Sequence, residues 1–240
     1  IMCGRFTLTV SEEEWVNFFY VQSVNLRFEP RYNIAPGQQI AAIIADDEGR
    51  RRAGPLRWGL VPSWAVDEKI GYKTINARAE TIHEKRSFRE PLVRKRCLIP
   101  ADGFYEWKKT PDGKQPLRIM LKSRPLFAMA GIYDTWTSPD GKVLHTCSII
   151  TTAPNEFMAE IHDRMPVILP REAESAWLDR DLQSIPELLS LLKSYPAEDM
   201  QAYPVHPQVG NVANDTPACI EEYKVPDNDA GGDGEQLTLF

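Results

Sequence analysis

The chain has 240 residues, of which 42% are hydrophobic and 26% charged, and its formal net charge at pH 7 is −6. These values fit a globular protein with one sizeable core and exclude a fibrous or wholly disordered chain. No apolar run approaches the roughly 20 residues of a membrane-spanning helix and the start lacks the order of a signal peptide, so we expect a cytoplasmic protein without membrane contact.

The first half of the chain predicts short, alternating elements. Ser11 and Glu14 form a capping box, which predicts that a helix begins after Ser11. The remaining elements, in chain order, are a strand at 3–10, a loop at 30–37 with two prolines and a glycine, and a hairpin with strands at 39–45 and 55–60 around a turn at 46–49.

The second half predicts a sheet and more helices. The elements are a helix at 87–96, an antiparallel meander at 97–151 with turns at 111–114 and 139–142, helices at 155–161, 171–177 and 185–193, and a strand at 200–205. The fold class is therefore α+β, with a strongly bent, barrel-like antiparallel β-sheet and peripheral helices in a single domain, which we place at residues 2–223.

Charge is distributed unevenly along the chain. Residues 221–240 hold six acidic residues against one lysine, whereas residues 84–118 hold ten Lys or Arg against five Asp or Glu. A local basic surface can follow a phosphate backbone even on an acidic protein, so this region is a candidate nucleic-acid surface. The alternative is an ordinary solvated face.

The acidic, Gly-rich and apolar-poor composition that follows Lys224 predicts a disordered acidic tail at residues 224–240. Its end, Gln236-Leu237-Thr238-Leu239-Phe240, resembles the short motif by which bacterial replication and repair proteins dock on the sliding clamp. The resemblance implies a bacterial sliding clamp as a partner, contacted by Gln236, Leu237, Leu239 and Phe240. The alternative is a chance apolar end.

The four cysteines, Cys3, Cys97, Cys147 and Cys219, are widely spaced and include no C-x-x-C pair. This spacing predicts reduced thiols and argues against a disulfide framework or a metal cage. We expect neither a metal nor another cofactor.

Cys3 is the candidate nucleophile. Removal of the residues before it would leave a 1,2-aminothiol, whose amine and thiol have ordinary pKa values of roughly 8 and 8.5. With an aldehyde, such an amine forms an imine and the thiol then closes a five-membered thiazolidine ring. Retained preceding residues would block this chemistry. The alternative is that Cys3 is a small buried hydrophobic residue.

Four separate segments resemble the signature segments of the SOS-response-associated peptidase (SRAP) family. They are Cys3-Gly4-Arg5-Phe6, Asn76-Ala77-Arg78, Gly103-Phe104-Tyr105-Glu106-Trp107 and His162-Asp163-Arg164-Met165-Pro166. The resemblance implies that Cys3 attacks the ring-opened aldehyde of an abasic site in single-stranded DNA, giving a thiazolidine DNA–protein crosslink. It also implies autopeptidase activity that exposes the cysteine, and we add lyase activity as an expectation.

Carried over position by position, the resemblance places Asn76, Glu106 and His162 around Cys3. Histidine readily changes its charge near neutral pH, so His162 suits the proton transfers that open the sugar. A partly buried Glu106 with a raised pKa suits the loss of water from the carbinolamine, and Asn76 can hydrogen-bond the sugar. The alternatives are a strand salt bridge for Glu106, a turn residue for Asn76 and a helix-terminal cation for His162.

The expected DNA contacts are of three kinds. They are phosphate clamps from Arg5, Arg78, Arg86 and Arg164, a further phosphate contact from Thr151, and a wedge against the bases from Trp58 or Trp64. For the tryptophans, packing in the core is an equal alternative.

The leading hypothesis is thus a covalent sensor and shield of abasic sites, associated with the nucleoid. Two alternatives remain open. One is a cysteine N-terminal-nucleophile amidohydrolase or peptidase, in which the amine of Cys3 serves as base. The other is a noncatalytic DNA-binding adaptor, which would leave Cys3, Glu106 and His162 unexplained.

Overall fold

The computed structural model describes residues 3–25 and 27–226. The docking motif and all but the first residues of the predicted acidic tail lie outside these described residues. Among the helices of the described ranges, none combines the length and the apolar character that crossing a membrane requires.

Most of the regular structure is β-sheet. The strands are β1 (Phe6–Leu8), β2 (Ser23–Val24), β3 (Arg31–Ile34), β4 (Gln39–Ala45), β5 (Arg51–Trp58), β6 (Asn76–Arg78), β7 (Arg96–Ala101), β8 (Gly103–Thr110), β9 (Gly113–Leu121), β10 (Phe127–Thr137), β11 (Val143–Thr152), β12 (Met165–Pro166), β13 (Ile168–Leu169) and β14 (Met200–Pro204). The α-helices are α1 (Glu12–Phe18), α2 (Arg89–Arg94), α3 (Glu156–Ala159), α4 (Arg171–Leu178) and α5 (Ile185–Ser190). Shorter 3-10 helices lie at Glu68–Lys73, Ala197–Asp199, Pro207–Gly210 and Pro217–Ile220.

Five strands close into a barrel. Strands β11, β10, β7, β4 and β5 pair in that order, and β5 then pairs with β11, with Trp58 opposite Cys147. This closure confirms the predicted barrel-like sheet, and the helices lie around it. The closing pair is parallel, so the sheet is not antiparallel throughout as the sequence analysis expected.

A second sheet carries the N-terminal strand, in the order β14, β9, β8, β1, β3. The predicted meander at 97–151 is therefore divided: β7 pairs with β10 in the barrel, while the hairpin of β8 and β9 leaves it. The chain passes from one sheet to the other at Gly103. A Cβ atom there would lie 2.7 Å from Nε of Arg118, so this crossing requires glycine.

The local predictions have mixed outcomes. The capping box of Ser11 and Glu14 is present, and the hairpin of β4 and β5 is confirmed with a longer return strand. The predicted loop at 30–37 is wrong in part, because β3 lies within it and pairs with β1. The helix predicted at 87–96 is shorter, because the backbone of Arg96 belongs to β7.

Residues 205–216, named here the C-terminal strap, are fastened to β1 and β3. The Asn33 side chain donates to the carbonyl oxygens of Val209 at 3.0 Å and Asn214 at 2.7 Å. Arg5 donates to the Val209 carbonyl at 2.6 Å and to the Gly210 carbonyl at 2.9 Å. The strap therefore has a fixed position beside the N-terminal strand.

Candidate active site

The pairing of β1 with β8 brings Cys3 to Glu106. Phe6 lies opposite Phe104, and the carbonyl of Arg5 accepts a hydrogen bond from the Tyr105 N–H at 3.0 Å. Continued by two residues toward the N-terminus, this register sets Gly4 opposite Glu106, so Cys3 is the next residue along the chain. The backbone N–H of Cys3 donates to Oε1 of Glu106 at 2.8 Å.

Cys3 is buried and has an unusual backbone conformation. Its side chain belongs to the core, with 5% exposure, and its φ is +34°, a value that few residues other than glycine adopt. Burial raises the pKa of the Cys3 thiol well above its ordinary value, and the Glu106 carboxylate raises this pKa further. The thiol is therefore protonated near neutral pH and must lose its proton during any reaction.

Glu106 bridges Cys3 and His162. Burial raises the pKa of the Glu106 carboxyl, while His162 and the Cys3 N–H act in the opposite direction. Its Oε2 lies 3.8 Å from Nε2 of His162, so the two carboxyl oxygens face different partners. A carboxyl group so placed can exchange a proton with the nitrogen of Cys3 directly and with the imidazole once their 3.8 Å separation closes to hydrogen-bond distance or one water bridges it.

His162 follows α3 and is oriented by the residues after it. The backbone N–H of Arg164 donates to Nδ1 at 3.2 Å, which favours the neutral tautomer with its proton on Nε2, toward Glu106. Oδ1 of Asp163 lies 3.1 Å from the same Nδ1. The ring thus has a carboxylate near each nitrogen.

Asn76 and Arg78 lie on β6, which runs parallel to β11. Nδ2 of Asn76 is 3.4 Å from the Ile149 carbonyl, and Arg78 is exposed opposite the backbone of Thr151. Residues two apart on a strand share a face, so these two side chains belong to the same side of β6. The hydrogen bonds of the described residues join Cys3 to Glu106 but do not connect either residue with Asn76.

The two tryptophans have opposite environments. Trp58 is 1% exposed and its Nε1 donates to the Ile75 carbonyl at 2.9 Å, so the prediction of a base wedge is wrong for this residue. Trp64 is 43% exposed, and the guanidinium of Arg86 lies 4.2 Å from the centre of its ring. Core packing accounts for Trp58, whereas Trp64 presents an aromatic surface.

Arg164 is held by a carboxylate. It donates to both oxygens of Glu80 at 2.9 Å, and this hydrogen bonding lowers the pKa of Glu80. It also donates to Oγ1 of the fully buried Thr151 at 3.2 Å. The buried Thr151 therefore supports Arg164, which does not fit the predicted phosphate contact. The side chains of Arg164 and Arg5, both predicted to bind phosphate, already donate to groups of the protein.

An open cleft of about 430 Å³ lies over the site. Its lining residues are Gly4, Arg5, Glu106, Trp107, Lys109, Lys114, His162 and Gly210. The sequence analysis included Lys109 and Lys114 in the candidate basic surface at 84–118 and Trp107 in a signature segment, but it placed none of the three beside Cys3. A lysine on each side of a hairpin turn was a usable signal. A larger cleft of about 760 Å³, between the turn at 46–49 and the end of α4, contains none of the predicted site residues.

The described residues offer no candidate metal centre, since no three of their His, Cys, Asp and Glu side chains are grouped to hold an ion. All four cysteines are buried thiols. The arrangement is suited to nucleophilic and proton-transfer chemistry by Cys3, Glu106 and His162.

Comparison with known proteins identifies the family of this chain. The family model described as SOS response associated peptidase (SRAP) matches residues 2–212. Abasic site processing protein YoqW of Bacillus subtilis is 53% identical over 225 residues, covering 92% of this chain and 100% of the relative. Abasic site processing protein HMCES of Gallus gallus is 37% identical over 225 residues, covering 81% of this chain and 66% of the relative.

A solved structure shares the fold of this chain. A crystal structure of a protein from Bacteroides thetaiotaomicron superposes with a TM-score of 0.85 at 33% identity, covering 92% of this chain and 100% of that one. The family match spans most of the chain and includes all four signature segments. The chain therefore belongs to the SOS response associated peptidase (SRAP) family.

Proposed function

We propose that this protein processes abasic sites in single-stranded DNA by forming a covalent thiazolidine crosslink through Cys3. The observation that carries the proposal is the position of Glu106, 2.8 Å from the Cys3 nitrogen and 3.8 Å from His162. The names of the bacterial and vertebrate relatives, abasic site processing proteins, support the choice of substrate.

The first step requires the closed abasic sugar to open. His162, half-buried at the cleft, is placed to move the proton between the C1′ hydroxyl and the ring oxygen. The freed aldehyde carbon then accepts the electron pair of the Cys3 amine, and the product is a carbinolamine. Asn76 is the candidate hydrogen-bond partner of the sugar.

The second step is loss of water from the carbinolamine. Glu106 with a raised pKa can protonate the departing hydroxyl, and the nitrogen lone pair forms the C=N bond of an imine. The Cys3 sulfur then adds to the imine carbon while the thiol proton passes, through Glu106, to the nitrogen. One water leaves overall, and the sugar carbon carries both sulfur and nitrogen in a five-membered ring.

The imine is also the branch point for lyase activity. A C=N bond at C1′ acidifies the protons on C2′, whose removal expels the 3′ phosphate and cleaves the strand. Closure of the thiazolidine removes that C=N bond. Rapid ring closure therefore shields the strand, and slow closure permits cleavage.

Exposure of the Cys3 amine completes the proposal. The left-handed φ of +34° at Cys3 is a strained conformation that supports cleavage of the bond before it. The Cys3 sulfur would attack the preceding carbonyl, the amide nitrogen would leave as the amine after taking a proton, and water would release the acyl group from sulfur. This is the autopeptidase activity of the proposal.

DNA binding is proposed for the segment around Trp64. The Ser63 N–H donates to Asp134 at 2.8 Å, and the Trp136 Nε1 donates to the Ala65 carbonyl at 2.7 Å. The loop is thus fixed while the Trp64 ring stays exposed, which suits stacking on an unpaired base. Arg86, whose guanidinium lies beside this ring, and the exposed Arg78 on β6 are the proposed phosphate contacts.

The test is a denaturing gel with an oligonucleotide that carries one abasic site. The protein with Cys3 as its first residue should give a shifted band that survives heat and SDS, and an oligonucleotide without the lesion should not. Noncovalent binding alone would indicate the adaptor. Hydrolysis of amide substrates without an adduct would indicate the amidohydrolase.

We further propose that Gln236–Phe240 docks on a bacterial sliding clamp, which would place the protein at the nucleoid. Its leucines and terminal phenylalanine are the anchors of such a peptide, and roughly micromolar affinity is expected. Calorimetry of a tail peptide against the clamp tests this, with Leu239→Ala, Phe240→Ala as the control. Equal heats from both peptides would refute specific docking.

A further inference from the structure

We infer that Lys109 and Lys114 form a phosphate-binding pair at the rim of the active-site cleft and hold the DNA backbone beside the abasic sugar. The inference rests on the proposed function, because it names how that substrate is held. Both lysines line the same cleft as Glu106 and His162.

The two lysines face each other across the hairpin of β8 and β9. Lys109 and Lys114 are directly opposite in the antiparallel register, and both are exposed. Like charges in this position repel and weaken the hairpin. Among the described residues, neither ammonium group has a carboxylate within 4.0 Å to offset the repulsion. A bound anion would remove this unfavourable interaction.

Arg5 also lines the cleft, but its guanidinium is already hydrogen-bonded within the protein. Arg5 donates to Oδ1 of Asn33 at 3.1 Å and to two carbonyl oxygens of the C-terminal strap. Its guanidinium is committed to holding the strap, whose Gly210 forms part of the cleft wall. Among the Lys and Arg side chains that line the cleft in the described part of the chain, Lys109 and Lys114 are therefore the two that remain available to a ligand.

The ligand class follows from the shape and charge of the cleft. A sugar whose C1′ reaches Cys3 must approach through this cleft, past Glu106 and His162, and its flanking phosphates must then lie toward the rim. The two ammonium groups can each neutralise one phosphate charge there. Lysine binds phosphate as a point charge on a flexible stem, which suits a backbone of variable conformation.

Lys108 provides a matched control. It is an exposed neighbour on the same strand and lies opposite Gln115. Because successive strand residues point to opposite faces, its side chain is directed away from the face of Lys109, and it does not line the cleft. Lys108→Ala removes the same charge from the same hairpin without touching the proposed pair.

The experiment measures the crosslinking rate of the Lys109→Ala, Lys114→Ala double variant against salt, using subsaturating abasic oligonucleotide. The plot of log rate against log salt has a negative slope, and its magnitude should become smaller by about 1.4 when two single-strand phosphate contacts are lost. Lys108→Ala should keep the wild-type slope. Reaction of Cys3 with formaldehyde, which has no phosphate, should be unchanged in all proteins. A double variant with the wild-type slope, or one equal to Lys108→Ala, would overturn the inference.

A second measurement separates this inference from the proposed chemistry. In a Cys3→Ala background, equilibrium binding to an oligonucleotide with a tetrahydrofuran abasic analogue reports the lysines without any covalent step. Loss of affinity and salt slope in the double variant would support the pair even if the wild type formed no adduct. The melting temperature of the double variant should stay the same or rise, because the substitutions remove a repulsion. If the double variant bound the oligonucleotide as tightly as the Cys3→Ala protein with both lysines, the pair would be refuted.

Discussion

The backbone nitrogen of Cys3 lies 2.8 Å from Oε1 of Glu106, a carboxyl group 103 residues later in the chain. Register in the second sheet creates this contact, because β1 pairs with the strand that carries Glu106. The same carboxyl group reaches toward His162 with its other oxygen. A proton donor, a nucleophile and an imidazole thus meet in a partly water-excluded site.

Replacement of Cys3 should separate imine formation from ring closure. Cys3→Ala should abolish the heat-stable adduct, because the ring needs sulfur. Cys3→Ser should give at most a labile imine, trapped by borohydride, together with more strand cleavage, since oxygen closes the ring less favourably. Denaturing gels with and without borohydride check this. A heat-stable adduct of normal yield from Cys3→Ala would point to another nucleophile.

Loss of the proton carriers should slow the reaction without abolishing it. Glu106→Gln and His162→Ala should each reduce the rate of adduct formation by about 10² or less, because the aminothiol retains its intrinsic reactivity. Single-turnover kinetics at saturating DNA measure the effect. Unchanged rates in both variants would remove the two side chains from the chemistry.

The raised pKa of Glu106 predicts a pH dependence of stability. Burial raises this pKa above its ordinary value of 4.5, so the folded protein binds the proton more tightly than the unfolded chain. The resulting stabilisation is fully present below the unfolded-state pKa and is lost as pH rises through the folded-state pKa. Urea unfolding of wild type and Glu106→Gln across this window should show a decline that the variant lacks. Parallel curves would contradict a raised pKa.

Arg78 and Arg164, predicted together as phosphate clamps, should behave differently. Arg164 is buried and bonded to Glu80 and Thr151, so Arg164→Ala should lower the free energy of unfolding by about 1–3 kcal/mol. Arg78 is exposed, so Arg78→Ala should instead reduce the salt slope of DNA binding by about 0.7. Denaturant unfolding and DNA titrations in several salt concentrations distinguish the two. Equal losses of stability would contradict the assignment.

The tryptophans offer a similar contrast. Trp58→Ala should lower the free energy of unfolding by about 3–5 kcal/mol, because it empties a core position. The ring centroids of Trp58 and Phe6 are 5.4 Å apart, so the variant also loses this aromatic contact. Trp64→Ala should leave stability within about 0.5 kcal/mol and weaken single-strand binding by about 1–3 kcal/mol. Fluorescence titrations and melting curves measure both quantities. Normal DNA affinity of Trp64→Ala would exclude base stacking by this ring.

Several features could be predicted from the sequence because they depend on near neighbours. The capping box of Ser11 and Glu14 and the hairpin around residues 46–49 arise from contacts within a few residues, and both are present. The family could also be predicted, since its four signature segments are read directly from the chain. The aminothiol chemistry of Cys3 could be predicted from its residue type, given removal of the residues before it, and it stays a prediction.

The tertiary structure decided which distant groups meet. Parallel pairing of β5 with β11 closes the barrel. Pairing of β1 with β8 brings the Glu106 carboxyl group within hydrogen-bond distance of the Cys3 nitrogen. Trp58 is buried and Trp64 is exposed, although both tryptophans lie in one short segment of the sequence. The facing of Lys109 and Lys114 also depends on strand register. Such relations join residues through long-range backbone pairing, and no local pattern of side chains specifies them.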